Sequence, residues 1–75
     1  MFTYIHPTPD YTYSFQASTF LSEARRLART EAQTEAYVVV QDGSSYIVVS
    51  ATHYSMFFIG QPIVAKYNAG GIEVR

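Results

Sequence analysis

Few side chains in this sequence are of types that could do chemistry, and their spacing does not assemble a reactive site. The two histidines, His6 and His53, lie far apart in the chain, and there is no cysteine. A zinc site needs three or four ligands, and the acidic residue nearest His6 is Asp10, which in "PTPD" is expected to stabilise a turn. The pair of glycines in "NAGG" leads into a strand, whereas a phosphate loop leads into a helix. The sequence therefore predicts no metal site, no cofactor and no catalytic residue.

The segment "SEARRLART" holds three of the five basic residues of the chain, Arg25, Arg26 and Arg29. They could form an ordinary solvated helix face, or they could contact an acidic protein surface or a phosphate backbone. Arg25 and Arg29 are like charges four residues apart on a helix, which costs a few tenths of a kcal/mol. Glu31 and Glu35 follow at the carboxyl end, where negative charge opposes the helix dipole. Since neither arrangement favours helix stability, the three arginines are candidate partner-binding residues.

Aromatic residues form a second candidate surface, because the chain contains seven tyrosines and five phenylalanines in 75 residues. Tyrosine is enriched at protein interfaces, although strand propensity and core filling would explain the same count. The adjacent rings of "YSMFFIG" would point to opposite faces of a strand, so that one of them is hard to bury under a single helix. The candidate partner-binding aromatic residues are Tyr11, Tyr13, Tyr46, Tyr54, Phe57 and Phe58.

Charge and hydropathy narrow the function classes. The net charge is −1 and 15% of the residues are charged. A general nucleic-acid binder shows a basic excess, and a DNA mimic would need a dense acidic face. A chain that is 48% apolar with few charges is expected to expose apolar surface for association. Its longest apolar runs, "AYVVV" and "MFFI", are far shorter than the roughly 20 residues of a membrane helix, so we expect a cytoplasmic protein.

Residue types separate one helix from several strands. All valines and isoleucines lie outside residues 18–36, whereas both leucines and half of the alanines lie inside, which predicts a helix over residues 19–35, capped by Ser18 or Thr19. The segments "FTYIH", "YTYSFQA", "AYVVVQ", "YIVVSAT", "IVAKY" and "IEVR" are predicted strands, with a "DGSS" hairpin turn after the third. Met56 to Ile59 are expected to form a short strand or an exposed apolar loop.

These elements predict an α+β fold: one helix packed on one face of a four- to six-stranded antiparallel sheet, in a single domain spanning residues 1–75. A single helix covers one side of a sheet. We therefore expect the other side to be rich in aromatic residues and free to meet another molecule.

A strand followed by "ASTFLSEARRLARTEA", "YVVVQDGSSYIVVSA" and further short strands resembles several small phage anti-CRISPR proteins that act against type I complexes. The resemblance is one of element order and size, and it transfers no functional residue. It implies a compact non-enzymatic protein that packs on a larger protein or ribonucleoprotein complex and blocks it.

Three hypotheses follow. The first is a phage or mobile-element inhibitor of a host defence complex of the CRISPR type, which acts by protein–protein contact. The second is a nucleic-acid-binding accessory factor that uses the arginine helix, and the low charge disfavours it. The third is a structural homo-oligomer, such as a phage virion or assembly component, for which a homodimer is one form.

Overall fold

A computed structural model describes residues 1–7 and 12–74. Within these ranges the strands and helices, in chain order, are β1 (Phe2–Pro7), β2 (Thr12–Ser18), α1 (Leu21–Glu31), β3 (Tyr37–Asp42), β4 (Ser45–Ser50), α2 (Ala51–Phe57), β5 (Ile63–Asn68) and β6 (Ile72–Val74). All strands belong to one antiparallel sheet in the order β1-β2-β4-β3-β5-β6. The predicted α+β fold, with a helix over an antiparallel sheet, is confirmed.

The β3–β4 hairpin forms the centre of the sheet, and the apolar run "AYVVVQ" of β3 is typical of a central strand. Val39 pairs with Val48, and Val38 pairs with Val49. All four side chains are buried because the sheet is covered on both faces here. The turn between the strands is the predicted one, and Gly43 adopts a φ of 61° there, a conformation that glycine reaches at little cost.

Helix α1 is shorter than predicted, and its amino end differs in detail. Phe20 occupies the N-cap position with an extended backbone, and its N–H donates to the Ser18 hydroxyl oxygen at 3.0 Å. Along the inner side of the helix, Ala24 and Ala28 are fully buried, as is Ala32 just after it. These small side chains face the two central strands, β3 and β4, on which α1 packs.

Helix α2 was not predicted. The "YIVVSAT" strand ends at Ser50, whose hydroxyl oxygen accepts the N–H of His53 at 3.1 Å and so caps the next helix. The expected strand or exposed loop over Met56 to Ile59 was therefore wrong for Met56 and Phe57, which belong to α2. It was also wrong for Phe58, which follows α2 and is buried. With α1 on one face of the sheet and α2 on the other, the expectation of one uncovered face was also wrong.

Candidate protein-interaction surface

The side of the sheet under α2 carries an aromatic layer, formed by Tyr4, His6, Tyr13, Phe15, His53, Phe57 and Phe58. Phe58 is 3% exposed, and its ring centroid lies 5.3 Å from that of Phe15 in an edge-to-face arrangement. The rings of Tyr13 and Phe57 are 4.4 Å apart. Strands β1 and β2 bring four of these rings together because Tyr4 pairs with Phe15 and His6 pairs with Tyr13. The layer is a second core rather than an open surface.

The predicted aromatic patch is therefore not one exposed surface. Phe58 is buried, and Tyr13, Tyr54 and Phe57 are partly buried against the same core. Tyr46 lies on the opposite side of the sheet, where it packs against the core under α1. Tyr11 lies outside the described residues, as does Asp10. The physical reason for the correction is helix α2, which turns residues 54, 57 and 58 to the sheet.

Arg25 connects α1 to the edge of the sheet. Its Nη2 donates to Glu73 Oε1 at 2.5 Å, and its Nε lies 3.3 Å from the Tyr67 hydroxyl oxygen. The Tyr67 hydroxyl in turn donates to the same carboxylate oxygen at 2.8 Å. The carboxylate and then the phenol raise the pKa of Arg25 further above its usual range. This network joins α1, β5 and β6, and it gives Arg25 a structural role.

Arg29 and Arg26 complete the outer side of the helix. The guanidinium carbon of Arg29 lies 5.7 Å from the centre of the Tyr67 ring, within reach of a cation–π contact. Arg26 is exposed, and together with the other two arginines and Ser22 it lines a shallow depression of about 240 Å³. The structure therefore brings the three predicted arginines to one side of α1.

A second depression, of about 300 Å³, lies at the amino end of α1 and is lined by Phe20, Ser22, Glu23 and Arg26. Phe20 is 68% exposed although it is a large aromatic residue. The Ser18 hydroxyl and the Met1 amino group, whose nitrogen lies 3.3 Å from Glu23 Oε1, lower the pKa of Glu23. Sequence reasoning missed Phe20 because the predicted helix over residues 19–35 includes this residue, whereas in the structure it is the N-cap. The sequence signal that could have identified Phe20 was its position directly after Thr19, one of the two predicted cap residues.

A cleft of about 290 Å³ opens where β2 and β4 diverge; it is lined by Tyr13, Ser14, Phe15, Gln16, Glu31, Tyr37, Val48, Val49, Ser50 and His53. Ser50 and His53 form its most reactive-looking pair, since the Ser50 hydroxyl oxygen lies 3.1 Å from His53 Nδ1. The same oxygen caps α2, and Ser50 is 2% exposed. The pair therefore has a structural role. Among residues 1–7 and 12–74, no three histidine or acidic side chains are placed to hold a metal ion.

Comparison with known proteins adds no relative: no family model, no curated protein and no solved structure matches this chain. Neither α1 nor α2, the helices of the described chain, has the length and apolar character needed to cross a membrane.

Proposed function

We propose that this chain is a small non-enzymatic protein that acts by binding another protein through the outer side of α1. We call this surface the arginine face and define it as Phe20, Ser22, Arg25, Arg26 and Arg29. The observation that carries the proposal is that an exposed phenylalanine and an exposed arginine line one depression on a helix anchored by buried alanines. Aromatic residues and arginine are the types that contribute most binding energy at protein interfaces.

Two of the arginines are held in place before any partner arrives. Arg25 contacts Glu73 and Tyr67, and Arg29 lies over the Tyr67 ring. A long side chain that is immobilised on binding costs about 0.5–1.5 kcal/mol. Because these side chains are already positioned by the fold, less of that cost remains when a partner binds. Their remaining N–H groups suit carboxylates, so the partner surface should be acidic.

The partner we propose is a larger protein or ribonucleoprotein complex, and most concretely a host defence complex of the CRISPR type. The protein would come from a phage or mobile element and would act in the host cytoplasm by occluding that complex. Support for this target comes from the element order of strand, helix, hairpin and further strands, together with the small size. The arginine face, rather than the aromatic layer, would supply the contact.

A nucleic-acid-binding role is the second candidate, because the same three guanidinium groups could contact phosphates. The net charge of −1 opposes it, since non-specific affinity for nucleic acid depends on neutralising phosphates. Measuring the affinity for a random DNA duplex at several salt concentrations separates the two roles. Protein binding that persists without measurable duplex binding supports the first proposal, and a steep salt-dependent duplex affinity supports the second.

The direct test is binding of the purified protein to an immobilised type I CRISPR complex, with charge-reversal variants. We expect Arg26→Glu to weaken binding at least about tenfold, because a tenfold loss needs only about 1.4 kcal/mol. Lys66→Glu is the matched control, since this exposed lysine lies on β5, away from the arginine face. Equal losses in both variants would mean that net charge matters and the arginine face does not. No binding by the unaltered protein would refute the proposed target.

A further inference from the structure

The two edges of the sheet are unequal. At one edge, β1 pairs with β2 through six consecutive residues without a bulge. At the other edge, β6 has three residues and follows β5, whose pairing with β3 shifts in register between Val39 and Val40. Short strands and irregular registers protect an edge from further pairing, whereas a long regular edge strand is a template for another strand.

Strand β1 also lacks the side chains that usually block such pairing. Its sequence, "FTYIHP", contains no lysine, arginine, aspartate or glutamate, and its proline is the last residue. At the opposite edge, β6 carries Glu73, which is bound by Arg25. An uncharged six-residue strand at the end of a sheet leaves its outer backbone N–H and C=O groups ready to accept a partner strand.

Apolar side chains surround the β1 edge on both sides of the sheet. Met1 is 70% exposed and Ile5 is 58% exposed, and Phe2 is 41% exposed. Alternation along the strand places Phe2 on the side of the aromatic layer and Ile5 on the side of α1. Helix α1 packs mainly on β4 and β3, so the β1 end of that side stays open.

We infer that the outer edge of β1 pairs with β1 of a second copy of this chain, which joins two sheets about a two-fold axis into one continuous sheet. A two-fold axis perpendicular to the sheet places each strand antiparallel to its copy, the direction in which every strand pair of this sheet already runs. In a pairing centred on Tyr4, Phe2 faces His6 of the other copy, and Thr3 faces Ile5. No charged side chain meets its own copy, and a net charge of −1 gives little repulsion between copies.

The size of the contact sets its strength. A six-residue strand offers a strip about 20 Å long and roughly 10 Å deep, estimated from the rise per residue and the thickness of a sheet. This strip is smaller than the about 800 Å² per partner of a standard interface. The dimer is therefore expected to be weak, with a dissociation constant in the micromolar range. Its formation does not depend on the arginine face or on the proposed target.

Sedimentation analysis of the purified chain from micromolar to millimolar concentrations tests the inference. The expected result is a reversible shift from monomer to dimer. Ile5→Lys should abolish the shift, because a charge would then lie at the β1 edge. Ile72→Lys is the matched control, since Ile72 is 68% exposed on β6, and it should leave the shift unchanged. A monomer at all concentrations, a dimer that survives Ile5→Lys, or a dimer that Ile72→Lys abolishes would each overturn the inference.

A spectroscopic test does not depend on how Ile5→Lys affects folding. Because the chain has no cysteine, Thr3→Cys provides one site for a nitroxide spin label on exposed β1. The expected result is dipolar broadening of the spectrum that disappears when the labelled protein is diluted with unlabelled protein. Ile72→Cys should show no broadening. Broadening at neither site, or at β6 alone, would refute pairing through β1.

Discussion

Phe58 provides the sharpest test of whether the aromatic layer is a core or a binding surface. It is 3% exposed, and its ring contacts those of Tyr4, His6 and Phe15 at centroid distances of 5.8, 5.5 and 5.3 Å. Replacing a buried phenylalanine by alanine removes the burial of the ring and leaves a cavity, and typical losses are about 3–5 kcal/mol. We therefore expect Phe58→Ala to lower the free energy of unfolding by that amount.

This loss is large for a chain of 75 residues. At about 0.05–0.15 kcal/mol per residue, the whole domain is stabilised by roughly 4–11 kcal/mol. Phe58→Ala could thus leave much of the protein unfolded at room temperature. Phe58→Leu keeps most of the side-chain volume, so a smaller loss should be measurable on a folded protein.

Urea denaturation followed by tyrosine fluorescence and circular dichroism gives the free energies. Ile59→Ala is the matched control, because Ile59 is the next residue and is 76% exposed. A substitution at such a surface position should change stability by less than about 0.5 kcal/mol. If Phe58→Ala cost less than about 1 kcal/mol, or no more than Ile59→Ala, the assignment of Phe58 to a core would be wrong.

Three further predictions concern the packing around α1. Tyr67→Phe removes the hydrogen bond from a buried hydroxyl to the Glu73 carboxylate, so thermal and urea denaturation should show a loss of about 1–2 kcal/mol; an unchanged stability would contradict the network. Gly71→Ala should lower the melting temperature and cost more than about 1 kcal/mol, because Gly71 has a φ of 80° and an added Cβ would lie 2.9 Å from the Arg29 carbonyl oxygen. Burial, and then two nearby glutamates, raise the pKa of Tyr37. The unfolded chain then loses this proton first, so the urea midpoint should fall as the pH rises above about 10, and a midpoint that stays constant there would contradict the raised pKa.

The sequence was most informative for elements that carry one residue type along a face, such as the alanines of α1 and the valines of β3 and β4. The alanines and leucines of residues 18–36 correctly predicted helix α1, and the "DGSS" turn between two apolar runs correctly predicted the β3–β4 hairpin. Helix α2 was missed for two reasons. The predicted strand "YIVVSAT" was extended through Ser50 because no turn residue interrupts it, and threonine, histidine and tyrosine are weak helix formers. Its signals were a serine at the cap and the spacing of Tyr54, Phe57 and Phe58, which is i, i+3, i+4.

The candidate site was harder to predict because it depends on long-range contacts. Nothing near Arg25 in the sequence indicates Glu73, which is 48 residues away. The spacing of Arg25 and Arg29 correctly placed these two residues on one side of a helix. Which of them are bound within the fold is decided by β6, at the other end of the chain. Arg26 therefore emerges as the sharper candidate for partner binding, and the structure adds Phe20 beside it.

The size of α2 explains why so many aromatic rings do not make a binding surface. Helix α2 has seven residues and is about 10 Å long. It is too short to cover four strands with small side chains, which is how the longer helix α1 covers the other side. Large rings from β1, β2 and α2 fill the remaining space on that side. An aromatic-rich sequence can therefore mean that a short helix must cover a wide sheet. The apolar side chains left exposed include Ile5 at the sheet edge and Phe20 at the helix end. These two positions belong to the two proposed contact surfaces, and they rather than the tyrosines should be altered first to identify a partner.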